Sequence, residues 1–167
     1  FDTRKIFQGT LTIKAGASLA LEEGAEISAG NSGPVAGKLV NAGALTKSGS
    51  GTAGIYGIDF WNSGTLKITM GTLDISSTTL QNSGIVDVRG GASLVGNTAT
   101  QFKNAGSVRI SGHGVVNTNL SENSGKISVT GGELDLASDA ANTGLIEVND
   151  DAGVFALGKL IGGGTID

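Results

Sequence analysis

The stretch Leu80-Gln81-Asn82-Ser83-Gly84-Ile85-Val86-Asp87-Val88 holds the pattern that decides the fold: an Asn-x-Gly tripeptide followed by an alternating run. From Asn41 to Asn142, six copies of the tripeptide recur regularly, with their Asn residues 21, 20, 22, 19 and 19 positions apart. A period of this size indicates a repeat architecture, in which each repeat packs against the next. The copies are Asn41-Ala42-Gly43, Asn62-Ser63-Gly64, Asn82-Ser83-Gly84, Asn104-Ala105-Gly106, Asn123-Ser124-Gly125 and Asn142-Thr143-Gly144.

The residues after each tripeptide alternate between apolar and polar. From Gly64 onward, the second and fourth residues after the Gly are always Leu, Ile or Val. This period of two predicts a strand with one buried face. The predicted inward pairs are Leu66 and Ile68, Val86 and Val88, Val108 and Ile110, Ile127 and Val129, and Ile146 and Val148.

Each repeat also contains a second Gly-bearing turn, a second alternating run and a less regular third stretch that leads to the next Asn. Phe60 and Phe102 share a position in this third stretch, two residues before the Asn, so we expect Phe60 to lie in the core. Two clear strands, a weaker third segment and three turns therefore make up one repeat.

Two topologies use such a repeat. An antiparallel meander would need Asn-Gly or Asp-Gly hairpin turns between strands, and the sequence has neither. A chain that turns three corners and stacks on its own previous copy places like residues above one another. Left-handed coils of this kind keep a stricter period. We therefore predict an all-β fold, a right-handed single-stranded parallel β-helix (β-solenoid) of about seven coils of about 20 residues.

The Asn-x-Gly tripeptides are predicted to be structural corners. Asn tolerates the left-handed backbone region and Gly enters it freely, so the pair would bend the chain into the next strand. Stacked Asn side chains would also form an amide ladder. A row of ligand or glycan-acceptor sites is the functional alternative. The corner residues are Asn41, Gly43, Asn62, Gly64, Asn82, Gly84, Asn104, Gly106, Asn123, Gly125, Asn142 and Gly144.

The two ends indicate a single domain over residues 1–167 that is a piece of a longer protein. Gly9–Ile13 aligns with the strand after Gly64, and Ala15–Leu19 aligns with Gly90–Leu94. On that alignment the first coil carries about fourteen extra residues, which we place as an insertion over 22–37. The chain stops part-way into another coil at Gly162–Asp167, and we expect such open ends to associate end to end.

Composition excludes several function classes. The net charge is −4 and the 11 basic residues are scattered, which argues against a nucleic-acid partner. No apolar run approaches the ~18 residues of a membrane span. With one His and no Cys, a zinc site is unsupported, and no cofactor is expected.

The repeat resembles the β-helical repeats of large secreted bacterial surface proteins, of the filamentous-haemagglutinin type and of autotransporter passenger domains. The resemblance rests on the Asn-x-Gly corner and its alternating strand, as in residues 80–88, and it covers about residues 7–167. It implies a right-handed parallel β-helix, export to the bacterial cell surface and adhesion.

Catalytic motifs are weak. Gly112-His113-Gly114 and Asp150-Asp151 resemble the motifs of polygalacturonase-type β-helix enzymes, but their order in the chain is reversed. Regular coils also leave little loop length for a sugar-binding cleft with two opposed carboxylates. We therefore expect no enzyme activity. A cation at Asp150-Asp151 or at Glu22-Glu23 stays open, with solvated acidic corners as the alternative.

The binding candidates are Tyr56 and Trp61, which lie in a segment where the alternation is lost. Exposed aromatic rings stack against sugars or partner proteins. The sequence thus predicts a stalk or binding segment of a secreted adhesin, with neighbouring coils and a host glycan or receptor as partners. The alternatives are a glycan- or receptor-binding module in its own right, and a fragment of a polysaccharide-degrading β-helix enzyme or phage tailspike.

Overall fold

The computed structural model describes residues 4–6, 9–29, 37–149, 152–156 and 159–167. In these ranges every regular element is a β-strand. The strands are β1 Arg4–Ile6, β2 Thr10–Ile13, β3 Ser18–Leu21, β4 Glu26–Ser28, β5 Lys38–Asn41, β6 Ala44–Lys47, β7 Thr52–Tyr56, β8 Asp59–Asn62, β9 Thr65–Ile68, β10 Thr72–Asp74, β11 Thr79–Asn82, β12 Ile85–Arg89, β13 Ser93–Val95, β14 Gln101–Asn104, β15 Ser107–Ser111, β16 Val115–Thr118, β17 Leu120–Asn123, β18 Lys126–Thr130, β19 Glu133–Leu136, β20 Ala140–Asn142, β21 Leu145–Asn149, β22 Gly153–Ala156, β23 Leu160–Ile161 and β24 Thr165–Ile166.

Strands three apart in the chain are neighbours in space, and paired strands run parallel. Sheet 1 runs from β1 through β4 and every third strand to β22, sheet 2 likewise from β2 to β23, and sheet 3 from β3 to β24. The chain therefore visits sheets 1, 2 and 3 in turn and returns one level higher, which confirms the β-solenoid. Each sheet is eight strands deep, close to the about seven coils predicted, and spans about 34 Å. The right-handed sense of the coil stays a prediction.

The core consists of files of like side chains. In sheet 3 the register stacks the predicted inward residues Leu66, Val86, Val108, Ile127 and Ile146 directly above one another. All five are buried. Of the predicted inward residues only Val148 is half-buried, and it packs against the same core.

The third stretch of each repeat is a regular strand of sheet 2. Phe60, Leu80 and Phe102 lie in one file of this sheet and are fully buried. The core position predicted for Phe60 is confirmed. The alternation was hard to read there because polar Asn side chains also point inward, at positions where an apolar residue would be expected.

Those inward Asn side chains form the predicted amide ladder. Asn41 donates from Nδ2 to Oδ1 of Asn62 at 2.7 Å, and the same bond repeats at each level up to Asn142. The backbone joins the pattern, because the amides of Ser63 and Gly64 both donate to the carbonyl of Asn41. The six Asn are buried, and buried amides are stabilising only when their polar atoms are paired.

The left-handed backbone predicted for the Asn-x-Gly corners is wrong. None of the six corner Asn or six corner Gly has a positive φ. Glycine is required there for a different reason: a Cβ on Gly84 would collide with the backbone carbonyl of Gly64 one coil below. The same steric limit holds along the file, for Gly43, Gly64, Gly106, Gly125 and Gly144.

Left-handed residues lie mostly at the corner between sheet 3 and sheet 1, with Gly57 and Ser77 at the corner between sheet 1 and sheet 2. Gly71, Gly112 and Gly131 have φ values of 66°, 56° and 63°, and His113 shares this region at 64°. Residues other than glycine rarely adopt such φ values, so the conformational freedom of glycine is used at this corner.

The alignment predicted for the first coil is also wrong. Thr10–Ile13 pairs with Lys38–Asn41 in sheet 2, and Ser18–Leu21 pairs with Ala44–Lys47 in sheet 3, so each run lies one strand away from its predicted place. Ile13 consequently occupies the ladder position below Asn41. Of the proposed insertion at 22–37, Glu26–Ser28 is a regular strand of sheet 1, and residues 30–36 lie outside the described residues.

Among the described residues, one charged side chain lies in the core. Lys47 stacks between Leu21 and Ile68 in sheet 3 and is fully buried. Its Nζ donates to the carbonyls of Ser48, Gly49 and Met70 at 2.9, 2.8 and 3.2 Å. Three carbonyl oxygens thus replace the water that an ammonium group otherwise binds.

Candidate functional site

The two predicted binding residues do not form one site. Tyr56 ends β7 in sheet 1, whereas Trp61 lies in β8 in sheet 2. The chain turns a corner between them at Gly57, so their side chains belong to different faces of the solenoid. The two side chains therefore have separate surroundings.

Tyr56 is held by its own coil and its neighbour. The ring packs over Gly54, where a Cβ would run into it, and the hydroxyl donates to Oδ2 of Asp74 at 3.4 Å. Burial raises the pKa of Tyr56, and the nearby carboxylates of Asp74 and Glu26 raise it further. With its ring half-buried and its hydroxyl engaged, Tyr56 offers little free surface to a ligand.

Trp61 offers much more free surface to a ligand than Tyr56 does. Its side chain points out of sheet 2 because the inward positions on either side are taken by Phe60 and Asn62, and it is 44% exposed. Nζ of Lys38, on the strand one level below, lies 3.2 Å from the centre of the indole ring. This cation–π contact fixes the ring against the sheet, since such pairs are attractive even at exposed sites.

The ammonium of Lys38 keeps unused hydrogen-bonding capacity. It lies opposite Asp59 in the register, yet within the described part of the chain it forms no ion pair with that or any other carboxylate. An ammonium carries three N–H donors, and the ring engages it electrostatically without accepting all of them. A free cation therefore lies directly on an exposed aromatic ring.

Trp61 belongs to a file of outward side chains that follows the solenoid axis. The register aligns one residue from each level, always the residue just before the ladder Asn. Successive members are about 4.8 Å apart, the spacing of hydrogen-bonded strands. The file contains Val40, Trp61, Gln81, Lys103 and Glu122.

The file lines a shallow groove of about 330 Å³ along sheet 2, which we call the Trp61 groove. Its other wall is the Asn-x-Gly corner, including the exposed residues Ser63, Ser83 and Ser124. At its upper end Lys103 and Glu122 form an exposed ion pair at 3.8 Å. An aromatic ring, an amide, hydroxyls and charges of both signs thus face one open channel.

The remaining candidates take no part in this groove. His113 is exposed at a corner between sheets 3 and 1. Glu22 and Glu23 are exposed, and Oε1 of Glu22 accepts a hydrogen bond from Ser48 at 3.0 Å. Asp150 and Asp151 lie outside the described residues. In the ranges that are described, no three His, Cys, Asp or Glu side chains are close enough to hold a metal ion.

Sequence reasoning missed Lys38, Gln81, Lys103 and Glu122 as site residues. A signal for three of them was present, because the residue before each ladder Asn must share the file of Trp61 once the coil is accepted. Lys38 was harder to find, since its contact with Trp61 crosses from one level to the next and depends on side-chain conformation.

Comparison with known proteins gives no relative: no protein-family model, curated protein or solved structure matches the chain. Nor does the described part of the chain contain a helix that is long and apolar enough to cross a membrane.

Proposed function

We propose that the chain is a rod-forming segment of a secreted bacterial surface adhesin, without catalytic activity of its own. The observation that carries the proposal is the unbroken in-register stack of three sheets, eight strands deep in each. A stack of this kind extends by repetition and presents a long surface, and this is how solenoids serve as spacers and binding surfaces. The resemblance to exported β-helical repeats supports the setting at the bacterial surface.

The mechanical part of this role rests on the rigidity of the stack. Hydrophobic files fill the interior, and the amide ladder ties consecutive coils at the corner. Rod and ladder together would hold a distal binding region at a fixed distance from the cell, where a flexible linker would let it collapse.

The test uses antibodies raised against the purified chain, applied to intact cells of the organism that encodes it. Surface labelling without permeabilisation is expected, as is reduced attachment to host cells after in-frame deletion of residues 1–167. Labelling only after permeabilisation would contradict the proposal, and so would unchanged attachment of the deletion strain.

A second role, as a binding module in its own right, is favoured by one observation. Trp61 exposes 44% of its surface in a groove that is also lined by exposed polar side chains, although most other large apolar side chains of the described residues are buried. An exposed aromatic beside polar groups is typical of recognition surfaces.

A further inference from the structure

We propose that the Trp61 groove binds a chain of acidic sugars, with one sugar ring on the indole of Trp61 and its carboxylate at Nζ of Lys38. The proposal deepens the binding role described above and rests on it for its biological setting. The groove itself can be tested with the purified chain alone.

Charge complementarity is the first argument. The ammonium of Lys38 has no carboxylate partner in the described residues and is fixed at 3.2 Å from the ring centre, so it is already positioned before a ligand arrives. A ligand that packs against the exposed part of the indole comes close to this cation, which lies over the ring. A carboxylate at that point gains a charge-assisted hydrogen bond, which a neutral ligand cannot form.

The lining of the groove argues for a sugar. Pyranose rings have an apolar face that stacks on aromatic side chains and a rim of hydroxyls that donate and accept hydrogen bonds. Gln81 and Ser83 supply an amide and a hydroxyl beside Trp61, and both are exposed. Each of these groups both donates and accepts, and therefore matches a hydroxyl in either role.

The spacing of the file argues for a polymer of sugars over an acidic peptide. Levels of the solenoid rise by about 4.8 Å, whereas an extended peptide advances about 3.3 Å per residue and would fall out of step. A pyranose unit in an extended chain advances by a distance close to the rise of one level. Successive sugars would therefore lie over Trp61, Gln81 and Lys103 in turn.

The cations of sheet 3 lack this combination of a free charge and an aromatic ring. On sheet 3, Arg89 lies 3.6 Å from Asp87, and Lys126 lies 2.7 Å from Glu147, so these cations are already paired. Arg109 lies on that same face, away from any aromatic ring of the described residues, and serves as a matched control. Among the described residues, only Lys38 combines a free ammonium group with a contact to an aromatic ring.

Fluorescence provides the test, because Trp61 is the single Trp of the chain. The purified protein is titrated with short oligomers of galacturonate, guluronate and glucuronate, and with the methyl ester of each as a neutral form of the same backbone. We expect a saturable change in Trp61 emission with at least one acidic oligomer, and affinity weaker by about tenfold for its ester.

The variants separate recognition from general attraction of anions. K38M keeps the apolar stem of Lys38 on the ring and removes the charge, so it should lose about tenfold in affinity. R109M removes an equal charge from sheet 3 and should bind as the unmodified chain does. Circular dichroism confirms that both variants are folded.

Four results would overturn the proposal: no saturable change with any of the three acidic oligomers, equal affinity for acid and ester, unchanged binding by K38M, or an equal loss in R109M. These outcomes are independent of surface labelling, so failure of the groove and failure of the adhesin role can be told apart. A surface-exposed protein without oligomer binding would leave the rod role standing alone.

Discussion

Lys47 shows how a single residue can depart from the repeat without breaking it. Its level in sheet 3 has Leu21 below and Ile68 above, and an ammonium group in such a file needs partners. The carbonyls of Ser48, Gly49 and Met70 supply them. Burial lowers the pKa of Lys47 from its ordinary value of 10.5, while the carboxylates of Glu22 and Glu23 act in the opposite direction.

This pKa shift predicts a pH-dependent stability. Because the folded state holds the proton of Lys47 less tightly than the unfolded state, the free energy of unfolding should rise between the lowered pKa and pH 10.5. K47M should lack this rise. Urea unfolding of both proteins from neutral pH to pH 10.5 measures the difference between them.

Comparing the two proteins cancels the contribution of other groups that titrate in the same pH range. The raised pKa of Tyr56 gives stability that is present below pH 10.0 and lost as the pH rises further, but it acts equally in both proteins. A difference between the two proteins that does not change with pH would contradict the prediction.

At the scale of the element, the amide ladder makes the Asn-x-Gly corner cooperative. Asn82 accepts from Asn62 at 2.7 Å and donates to Asn104 at 2.8 Å, so N82A leaves one N–H of Asn62 and Oδ1 of Asn104 without their ladder partners, although Nδ2 of Asn62 keeps its bond to the carbonyl of Ile85. We expect a loss of about 2–4 kcal/mol in the free energy of unfolding. Chemical denaturation measures it.

Two further variants test whether the loss of stability depends on the number of ladder bonds removed. N142A removes a residue with only one ladder bond and should cost less than N82A. N117A alters an exposed Asn on the outer face of sheet 1 and should change stability by no more than about 0.5 kcal/mol. Equal losses for all three variants would show that the ladder is not the cause.

The corner Gly residues predict a second effect at this scale. G84A places a Cβ against the carbonyl of Gly64 and the backbone of Ser63, neither of which can move without shifting a coil. We expect a loss of about 3 kcal/mol, as for an overpacked site. G163A adds a Cβ that meets no atom within 4 Å and is the matched control, to be compared by thermal unfolding. A G84A protein as stable as G163A would disprove the steric explanation.

The same corner shows what the sequence could and could not predict. The period, the inward pairs and the stacking of Asn followed from local spacing, because a coil repeats its own chemistry at each level. The reason for Gly84 did not follow, since the clash is with a residue 20 positions away and appears only when the levels are in register. Positive φ is the usual reason for glycine at a corner, and here it applies to glycines at the other two corners, such as Gly71 and Gly57.

The binding surface was predictable to a similar extent. Trp61 could be proposed from its type and its irregular segment, but Tyr56 was proposed with it because the two are close in sequence. A corner at Gly57 separates them, and Lys38, a residue from the level below, completes the site. Contacts between levels outside the core depend on side-chain conformation, which the repeat does not constrain.

For the whole molecule, the distribution of contacts predicts how stability responds to salt. The ion pairs of the described residues are exposed or half-exposed, whereas the apolar files and the amide ladder are buried. Exposed pairs contribute about 0–1 kcal/mol each and are screened by salt. We expect the free energy of unfolding to change by less than about 1 kcal/mol between low salt and 1 M NaCl, where the Debye length is about 3 Å.

Denaturant unfolding at both salt concentrations checks this expectation, with circular dichroism following the sheets and fluorescence following Trp61. A large decrease at high salt would mean that surface charges hold the coils together. The Trp61 groove should behave differently, because the proposed contact between Lys38 and a carboxylate weakens as salt rises.

The amide ladder also gives the molecule a polarity. Every ladder bond runs the same way, from Nδ2 of one Asn to Oδ1 of the next Asn along the chain, and no described residue accepts from Nδ2 of Asn142. Aligned amides sum their dipoles, as peptide groups do in a helix. The file of amides is therefore dipolar along the solenoid axis. In the level after Asn142, Gly162 follows Ile161 at the ladder position, so the ladder ends there with a donor end that differs chemically from its acceptor end at Asn41.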